Sequence, residues 1–128
     1  MTQVKTIGDA LTTGDGNAIV IFTKGKEDSL DLKHIGESRT GDWKINKDRK
    51  FETVLIYHRG DNENENTIFK GKFSRLEDSK SVESRSTVFM EDVVRVGDSS
   101  SNWYDFTGIN RLASPIMYVN TEVKTTEM

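Results

Sequence analysis

Hydrophobic residues along the chain fall into short stretches separated by polar, glycine-containing segments, a pattern more typical of β-strands than of helices. Residues 18–23 are continuously apolar and rich in β-branched side chains, which predicts a strand buried on both faces. Residues 51–59 and 67–73 alternate between the two faces of a strand, and the polar segment 60–66 separates them. Together these two stretches predict a β-hairpin with a long loop.

Three more stretches have the composition of strands, namely residues 43–45, 87–96 and 116–119. Residues 27–35 are the best candidate for a short helix, and residues 103–106 begin either a strand or a second short helix. Helices and strands do not alternate regularly, which argues against a doubly wound parallel sheet. The expected fold is therefore mainly β, a small antiparallel or mixed β-barrel with one or two short helices.

The chain of 128 residues has the size of one domain. We expect a flexible N-terminal arm over residues 1–17, a single β-barrel domain over residues 18–119, and a polar C-terminal tail over residues 120–128. The N-terminus lacks the basic and then apolar segments of a signal peptide, and no apolar run reaches the roughly 20 residues of a membrane span. A cytoplasmic protein that does not enter the membrane is the simplest expectation.

The chain contains no cysteine and only two histidines. Disulfides, thiolate catalysis and cysteine-ligated zinc are therefore excluded, and little remains for a histidine-rich metal site. A phosphate-binding loop of the Walker type is not indicated, because neither Gly-Lys pair, at 25–26 and 71–72, is followed by serine or threonine. We expect no cofactor, no metal and no catalytic residue.

Two patterns leave an enzymatic activity open. His58 lies in an apolar strand without an adjacent nucleophile motif, so a strand histidine bonded to the backbone explains it better than a general base. Glu122 and Lys124 have the Glu-x-Lys spacing of many metal-dependent nucleases, with Asp105 upstream, but the triplet falls in the polar tail. We therefore expect a binding protein rather than a catalyst.

Basic and aromatic residues are the more informative groups. Although the net charge of the chain is −3, residues 44–50 carry four cations against the single Asp48, a local charge of +3. Nucleic-acid binding uses such local patches together with aromatic rings on which bases stack. The candidate cations are Lys44, Arg49, Arg59, Lys70 and Lys72, and the candidate rings are Trp43, Tyr57, Trp103, Tyr104 and Phe106.

The loop of the predicted hairpin is acidic, since Asp61, Glu63 and Glu65 alternate there with asparagines. Such a loop can bind a cation or mimic phosphates, although a solvated hairpin tip is the commoner explanation. With the small size and the net negative charge, it keeps a second interpretation open. On that interpretation the chain is a phage- or plasmid-type interaction or inhibitor protein, or a small-molecule sensor, that acts through a protein partner.

Several motifs follow one another in a distinctive order, namely Trp43-Lys44-Ile45, the strand 54–59, the strand 68–73, the segment 106–110 and the segment 115–118. This order resembles the PUA-like superfamily, and within it the EVE and ASCH-type domains. The resemblance covers residues 18–119. It implies a pseudobarrel of five or six strands with flanking short helices.

Members of that family generally bind RNA, or modified bases in DNA, without chemistry, so the resemblance implies a non-enzymatic nucleic-acid-binding module. EVE-type pockets hold a flipped base between aromatic side chains, whose stacking offsets the few kcal/mol that extracting a base costs. In this chain the resemblance implies Trp43 and Tyr57 as pocket walls, with Arg59 and Asn110 as polar readers. Residues 1–17 have no counterpart in the family pattern.

Overall fold

The structure is a computed structural model. It describes residues 3–24, 30–31, 37–45, 50–60, 65–79, 83–109 and 114–120. In chain order the elements are α1 (Ile7–Ala10), a 3-10 helix (Thr13–Asp15), β1 (Asn17–Lys24), β2 (Leu30–Asp31), β3 (Ser38–Trp43), β4 (Thr53–Arg59), β5 (Asn66–Asp78), β6 (Ser86–Ser99), α2 (Trp103–Thr107) and β7 (Ile116–Asn120). The prediction of a mainly β fold with short helices is confirmed. Within the described ranges, no helix is long and apolar enough to cross a membrane.

The strands form one mixed sheet in the order β2-β3-β6-β5-β4-β1-β7. β1 and β4 run parallel, and the other neighbouring pairs are antiparallel. The parallel pair places Phe22 opposite Tyr57 and Lys24 opposite Arg59, at the carboxyl ends of both strands. The predicted hairpin is β4 and β5, which begin their pairing with Arg59 opposite Asn66.

The sheet is not closed into a barrel in the part of the chain that the structure describes, because the edge strands β2 and β7 pair only with β3 and β1. The predicted barrel is therefore not confirmed. The long pair β5 and β6 instead shifts register at three places, and such bulges bend a sheet. Gly71 lies at one shift, where a Cβ atom would come within 2.8 Å of the Val93 side chain.

The bend is visible in the packing of three aromatic rings. The Phe51 ring centroid lies 4.5 Å from that of Phe73 in β5 and 6.4 Å from that of Tyr118 in β7. In a flat sheet β5 and β7 would be separated by about 14 Å, because two strands lie between them at about 4.8 Å per step. The sheet therefore curls far enough for one side chain to bridge strands that are not neighbours.

The curled sheet encloses a first core on its concave face, which we call the strand-side core. Its buried side chains are Ile19, Ile21, Ile45, Phe51, Val54, Ile56, Val88 and Met90. All come from strands or from segments directly beside them. Among the described residues, the sheet itself rather than a helix covers this face. Each fully buried large side chain contributes about 1.5–3 kcal/mol.

Elements outside the sheet cover the other face, and we call this second core the arm-side core. Its buried side chains are Val4, Ile7, Ala10, Leu11, Ala18, Val20, Leu55, Tyr57, Ile68 and Phe106. The first four belong to the predicted N-terminal arm, which the structure packs on the sheet through α1 instead of leaving it as a loose segment. The backbone N–H of Val4 also donates to the carbonyl of Asp98 at 2.8 Å.

The helix predicted over residues 27–35 is wrong at the two positions that the structure describes. Leu30–Asp31 forms β2, which pairs antiparallel with β3, and the other residues of the predicted helix lie outside the described ranges. Apolar residues alternate at Leu30 and Leu32, so their spacing also fits a strand. For residues 103–106, where strand and helix were both open, the structure shows the helix α2.

Candidate functional site

Four aromatic rings meet at the end of the arm-side core, and we call Phe22, Tyr57, Trp103 and Phe106 the aromatic cluster. Phe22 stacks on Tyr57 with ring centroids 5.5 Å apart, and Trp103 meets Phe22 edge-on at 5.4 Å. Phe106 lies 5.1 Å from Tyr57. Tyr57 and Phe106 are buried, whereas Phe22 and Trp103 are only half-buried. Solvent therefore reaches two of the four rings.

Strand pairing and a short capped helix bring these rings together. The parallel register of β1 and β4 puts Phe22 beside Tyr57. The side chain of Asn102 caps α2 by accepting a hydrogen bond from the backbone N–H of Asp105 at 2.8 Å, so the helix begins with Trp103. The indole Nε1 of Trp103 donates to the carbonyl of Ser114 at 3.1 Å, which ties the ring to the entry of β7.

Polar groups adjoin the aromatic cluster at the carboxyl ends of β1 and β4. The Tyr57 hydroxyl donates to the carbonyl of Ser101 at 2.6 Å. The Nδ2 atom of Asn66 donates to the carbonyls of Ser99 at 3.0 Å and Ser101 at 3.3 Å. Arg59 lies two positions after Tyr57 on the same face of β4 and is half-buried.

The hydroxyl of Tyr57 keeps its proton and can therefore donate its hydrogen bond to the carbonyl of Ser101. Burial raises the pKa of Tyr57 to about 12, and the positive charge of Arg59 offsets part of that rise. The hydroxyl therefore remains protonated, and its hydrogen bond to Ser101 intact, at any pH near neutrality.

The cluster combines apolar ring faces with a nearby cation. Ring faces of this kind stack on planar ligands, and a guanidinium binds anionic oxygens or the edges of bases. The arrangement is therefore suited to holding a planar, anionic molecule.

Across the described residues, no group of three or more histidine, aspartate or glutamate side chains could hold a metal ion.

The structure separates Trp43 from Tyr57, the two rings that were expected to face one pocket. Trp43 packs against the strand-side core and donates from Nε1 to the hydroxyl of Thr40 at 2.9 Å. Tyr57 lies in the arm-side core, on the opposite face of the sheet. The expected pocket between these two rings is therefore not formed. Alternation within the strands decides this, because one position of difference in register changes the face.

The two lysines predicted on β5 have different surroundings. The ammonium of Lys70 donates to the carbonyl of Ala10 and to the carboxylate of Asp15, both at 3.1 Å, so it fastens the N-terminal arm to the sheet. Lys72 is exposed and lies 3.8 Å from the carboxylate of Asp92, which is also exposed. Six residues of strand, or about 20 Å, separate Lys72 from Asn66 beside the aromatic cluster.

The three remaining predicted residues are Lys44, Arg49 and Asn110. Lys44 is exposed after β3, and the neighbouring Ile45 is buried in the strand-side core. Arg49 and Asn110 lie outside the described residues. Of the eight predicted nucleic-acid-binding residues, the structure thus places Tyr57 and Arg59 together and distributes the other described ones over both faces.

His58 and Thr23 form a separate polar pair on the strand-side face. The His58 Nδ1 atom lies 2.6 Å from the Thr23 hydroxyl, and the Thr23 side chain is buried. Burial lowers the pKa of His58, which favours the neutral ring. The partner of His58 is therefore a side chain of the parallel neighbouring strand rather than the backbone group that the sequence suggested.

Three residues at this site were not predicted from the sequence as part of it, namely Phe22, Asn66 and Ser101. Phe22 belongs to a stretch that was interpreted only as buried strand, and Asn66 to one interpreted as a polar loop. Their roles depend on pairing across the sheet, with Phe22 opposite Tyr57 and Asn66 opposite Arg59. Trp103 was a candidate stacking ring, and the structure places it half-buried in the cluster.

No model of a known protein family, no curated protein and no solved structure matches this chain.

Proposed function

We propose that this chain is a non-enzymatic nucleic-acid-binding module that holds an unstacked base, in RNA or as a modified base in DNA, at the aromatic cluster. The observation that carries the proposal is the pair of half-buried rings, Phe22 and Trp103, which meet edge-on at 5.4 Å on the face of the sheet where Arg59 lies. A base would stack on one of these rings, and Arg59 would contact its edge or the adjoining phosphate.

The charge of the chain favours a local contact over broad binding to a polyanion. With a net charge of −3, long-range attraction to a phosphate backbone is weak. Stacking on an aromatic side chain, by contrast, is worth about 1–3 kcal/mol per base and needs little net charge. Lys44 and Lys50 are exposed and offer additional cations for phosphate contacts. On the resemblance found in the sequence, we also propose that the chain is related to the PUA-like superfamily and forms its pseudobarrel.

The test is a binding titration with short labelled oligonucleotides at low salt, comparing RNA, unmodified DNA and DNA that carries modified bases. We expect Trp103→Ala to weaken binding by about 1–3 kcal/mol, roughly 5- to 150-fold. Tyr104→Ala is the matched control, because Tyr104 is the next residue of α2 and is 46% exposed outside the cluster. Binding no tighter than about 10⁻⁴ M by the unmodified protein to every probe would refute the proposal.

A second candidate function, the binding of a protein partner, is favoured by two exposed apolar side chains at α2. Tyr104 lies within α2 and is 46% exposed, and Ile109, two positions after the last residue of this helix, is 41% exposed. Co-purification with an identified partner that is lost in Tyr104→Ala, with oligonucleotide binding absent, would support this candidate. The same variant therefore separates the two functions, because nucleic-acid binding at the cluster does not require Tyr104.

A further inference from the structure

Two side chains of neighbouring strands donate hydrogen bonds to backbone carbonyls at the connection between β6 and α2. Tyr57 in β4 donates to the carbonyl of Ser101 at 2.6 Å. Asn66 in β5 donates to the same carbonyl at 3.3 Å and to that of Ser99 at 3.0 Å. Within the segment, the backbone N–H of Ser101 donates to the hydroxyl of Ser99 at 3.2 Å. Backbone carbonyls of a connecting segment are thus bound by side chains of the sheet.

This segment determines where α2 begins. Asn102 follows Ser101 directly and caps the helix, with its carbonyl accepting from the backbone N–H of Phe106 at 2.8 Å. Trp103, the first residue of α2, comes only two positions after the anchored carbonyl. A shift of the Ser101 carbonyl would therefore move the indole ring relative to Phe22, since two residues leave few torsions to absorb it.

The two anchoring side chains are themselves fixed. Tyr57 is 2% and Asn66 is 1% exposed, so neighbouring side chains restrict their rotamers. Both lie on paired strands near the middle of the sheet. Their geometry is therefore set by the sheet, whereas the ring of Trp103 depends on a helix of only five residues.

We propose that Tyr57 and Asn66 are positioning residues of the binding site, which hold the Ser99 and Ser101 carbonyls so that Trp103 keeps its edge-on contact with Phe22 and its half-buried ring stays available to a base. The expected effect on oligonucleotide binding rests on the proposed function, whereas the expected effect on the position of Trp103 does not depend on it. Tyr57 does not stack on the ligand in this account, because its ring is buried.

The first experiment is a double-mutant cycle on oligonucleotide affinity with Tyr57→Phe and Trp103→Ala. Tyr57→Phe removes one hydroxyl and keeps the ring, so we expect about five-fold weaker binding from the lost hydrogen bond. In the Trp103→Ala background the same change should have no further effect, because Tyr57 acts through Trp103. An equal loss in both backgrounds would overturn the proposal, as would no loss in the otherwise unchanged protein.

The second experiment does not depend on binding. In a Trp43→Phe background Trp103 is the single tryptophan, and its emission reports its surroundings. We expect Tyr57→Phe and, separately, Asn66→Ser to shift the emission to longer wavelength and to increase quenching by acrylamide. Tyr118→Phe, which removes the same atom on the strand-side face, is the matched control and should change neither.

The outcomes of the two experiments are distinguishable. If the unmodified protein binds no oligonucleotide, the proposed function fails, and the fluorescence comparison still decides whether the two residues position Trp103. If the protein binds but Tyr57→Phe leaves both affinity and emission unchanged, the positioning role is refuted while the proposed function stands. Thermal unfolding of each variant confirms that a folded protein is being compared.

Discussion

The two cores on opposite faces of the sheet are built in different ways. The strand-side core is closed by the sheet, which curls over its own apolar residues. The arm-side core is closed by two additions, the N-terminal segment and α2, and it contains buried polar contacts such as those of Tyr57 and Lys70. The half-buried rings of Phe22 and Trp103 also lie on this side.

The comparison shows why the candidate site lies on the arm-side face. The curled sheet buries eight apolar side chains on its concave surface, and the rings of Trp43 and Tyr118 that pack against them are half-buried. On the other face two short elements cover the sheet, and the rings of Phe22 and Trp103 remain half-buried there. Recognition residues are commonly found on such connecting elements, positioned by a rigid sheet. The predictions below test this division, beginning with the largest expected effect.

Truncation in the strand-side core should have the greatest effect on stability. Ile56 is fully buried there, and we expect Ile56→Ala to lower the free energy of unfolding by about 2–5 kcal/mol through lost burial and the cavity left behind. Denaturant unfolding measures this. Val94→Ala is the control, because Val94 is 57% exposed, and it should change stability by less than about 0.5 kcal/mol. Similar losses in both variants would contradict the assignment of the core.

The attachment of the N-terminal arm should be sensitive to one glycine. Gly16 has a φ of 67°, and a Cβ atom there would lie 2.3 Å from the Glu52 carboxylate, which accepts a hydrogen bond from the backbone N–H of Asn17. We expect Gly16→Ala to destabilise the protein by about 1–3 kcal/mol. Gly8→Ala in α1 meets nothing closer than 3.6 Å, so it should be neutral or stabilising. Equal effects in thermal unfolding would argue against this anchor.

The Lys70–Asp15 ion pair should make the arm-side core sensitive to acid. Burial of Asp15 raises its pKa, but hydrogen bonds from Thr12 and Lys70 and the charge of Lys70 outweigh this, so the pKa lies below its ordinary value of 3.8. The stabilisation is therefore complete above the unfolded value and disappears as pH falls through the folded one. We expect Lys70→Met to cost about 1 kcal/mol at neutral pH and less below pH 3.8.

Unfolding curves collected from neutral to acidic pH measure this difference, with Lys5→Met as the control for loss of an exposed lysine. A cost of Lys70→Met that stays constant over the whole pH range would show that the ion pair does not contribute.

Titration of His58 should also make the stability of the protein depend on pH. The effect should be weaker than that of Asp15 and should occur at a higher pH. Burial places its pKa below the ordinary value of 6.5, so the unfolded chain binds the proton more readily than the folded one. This stability is complete above pH 6.5 and decreases as pH falls toward the folded value. We expect His58→Gln to flatten the stability profile in that window, measured by denaturant unfolding. An unchanged profile would mean that another group titrates there.

The sequence predicted most strands because their pattern is local. The runs at 18–23, 51–59 and 116–119 contain enough apolar and β-branched residues to identify strands without knowledge of their neighbours. The helix over 27–35 failed at Leu30–Asp31 because an alternating and a helical spacing cannot be told apart over so few residues. The site was predicted in part, since Tyr57 and Arg59 share one strand whereas their partners come from others.

The sequence by itself determined the class of fold and the residue types available for recognition. Only the tertiary structure decided which of those residues share a face. Trp43 and Tyr57 were separated by the sheet, and Phe22 and Trp103 were brought together by parallel pairing and the cap of α2. The physical reason is that apolar periodicity fixes which residues are buried, whereas strand order and register, which depend on distant partners, fix what they are buried against.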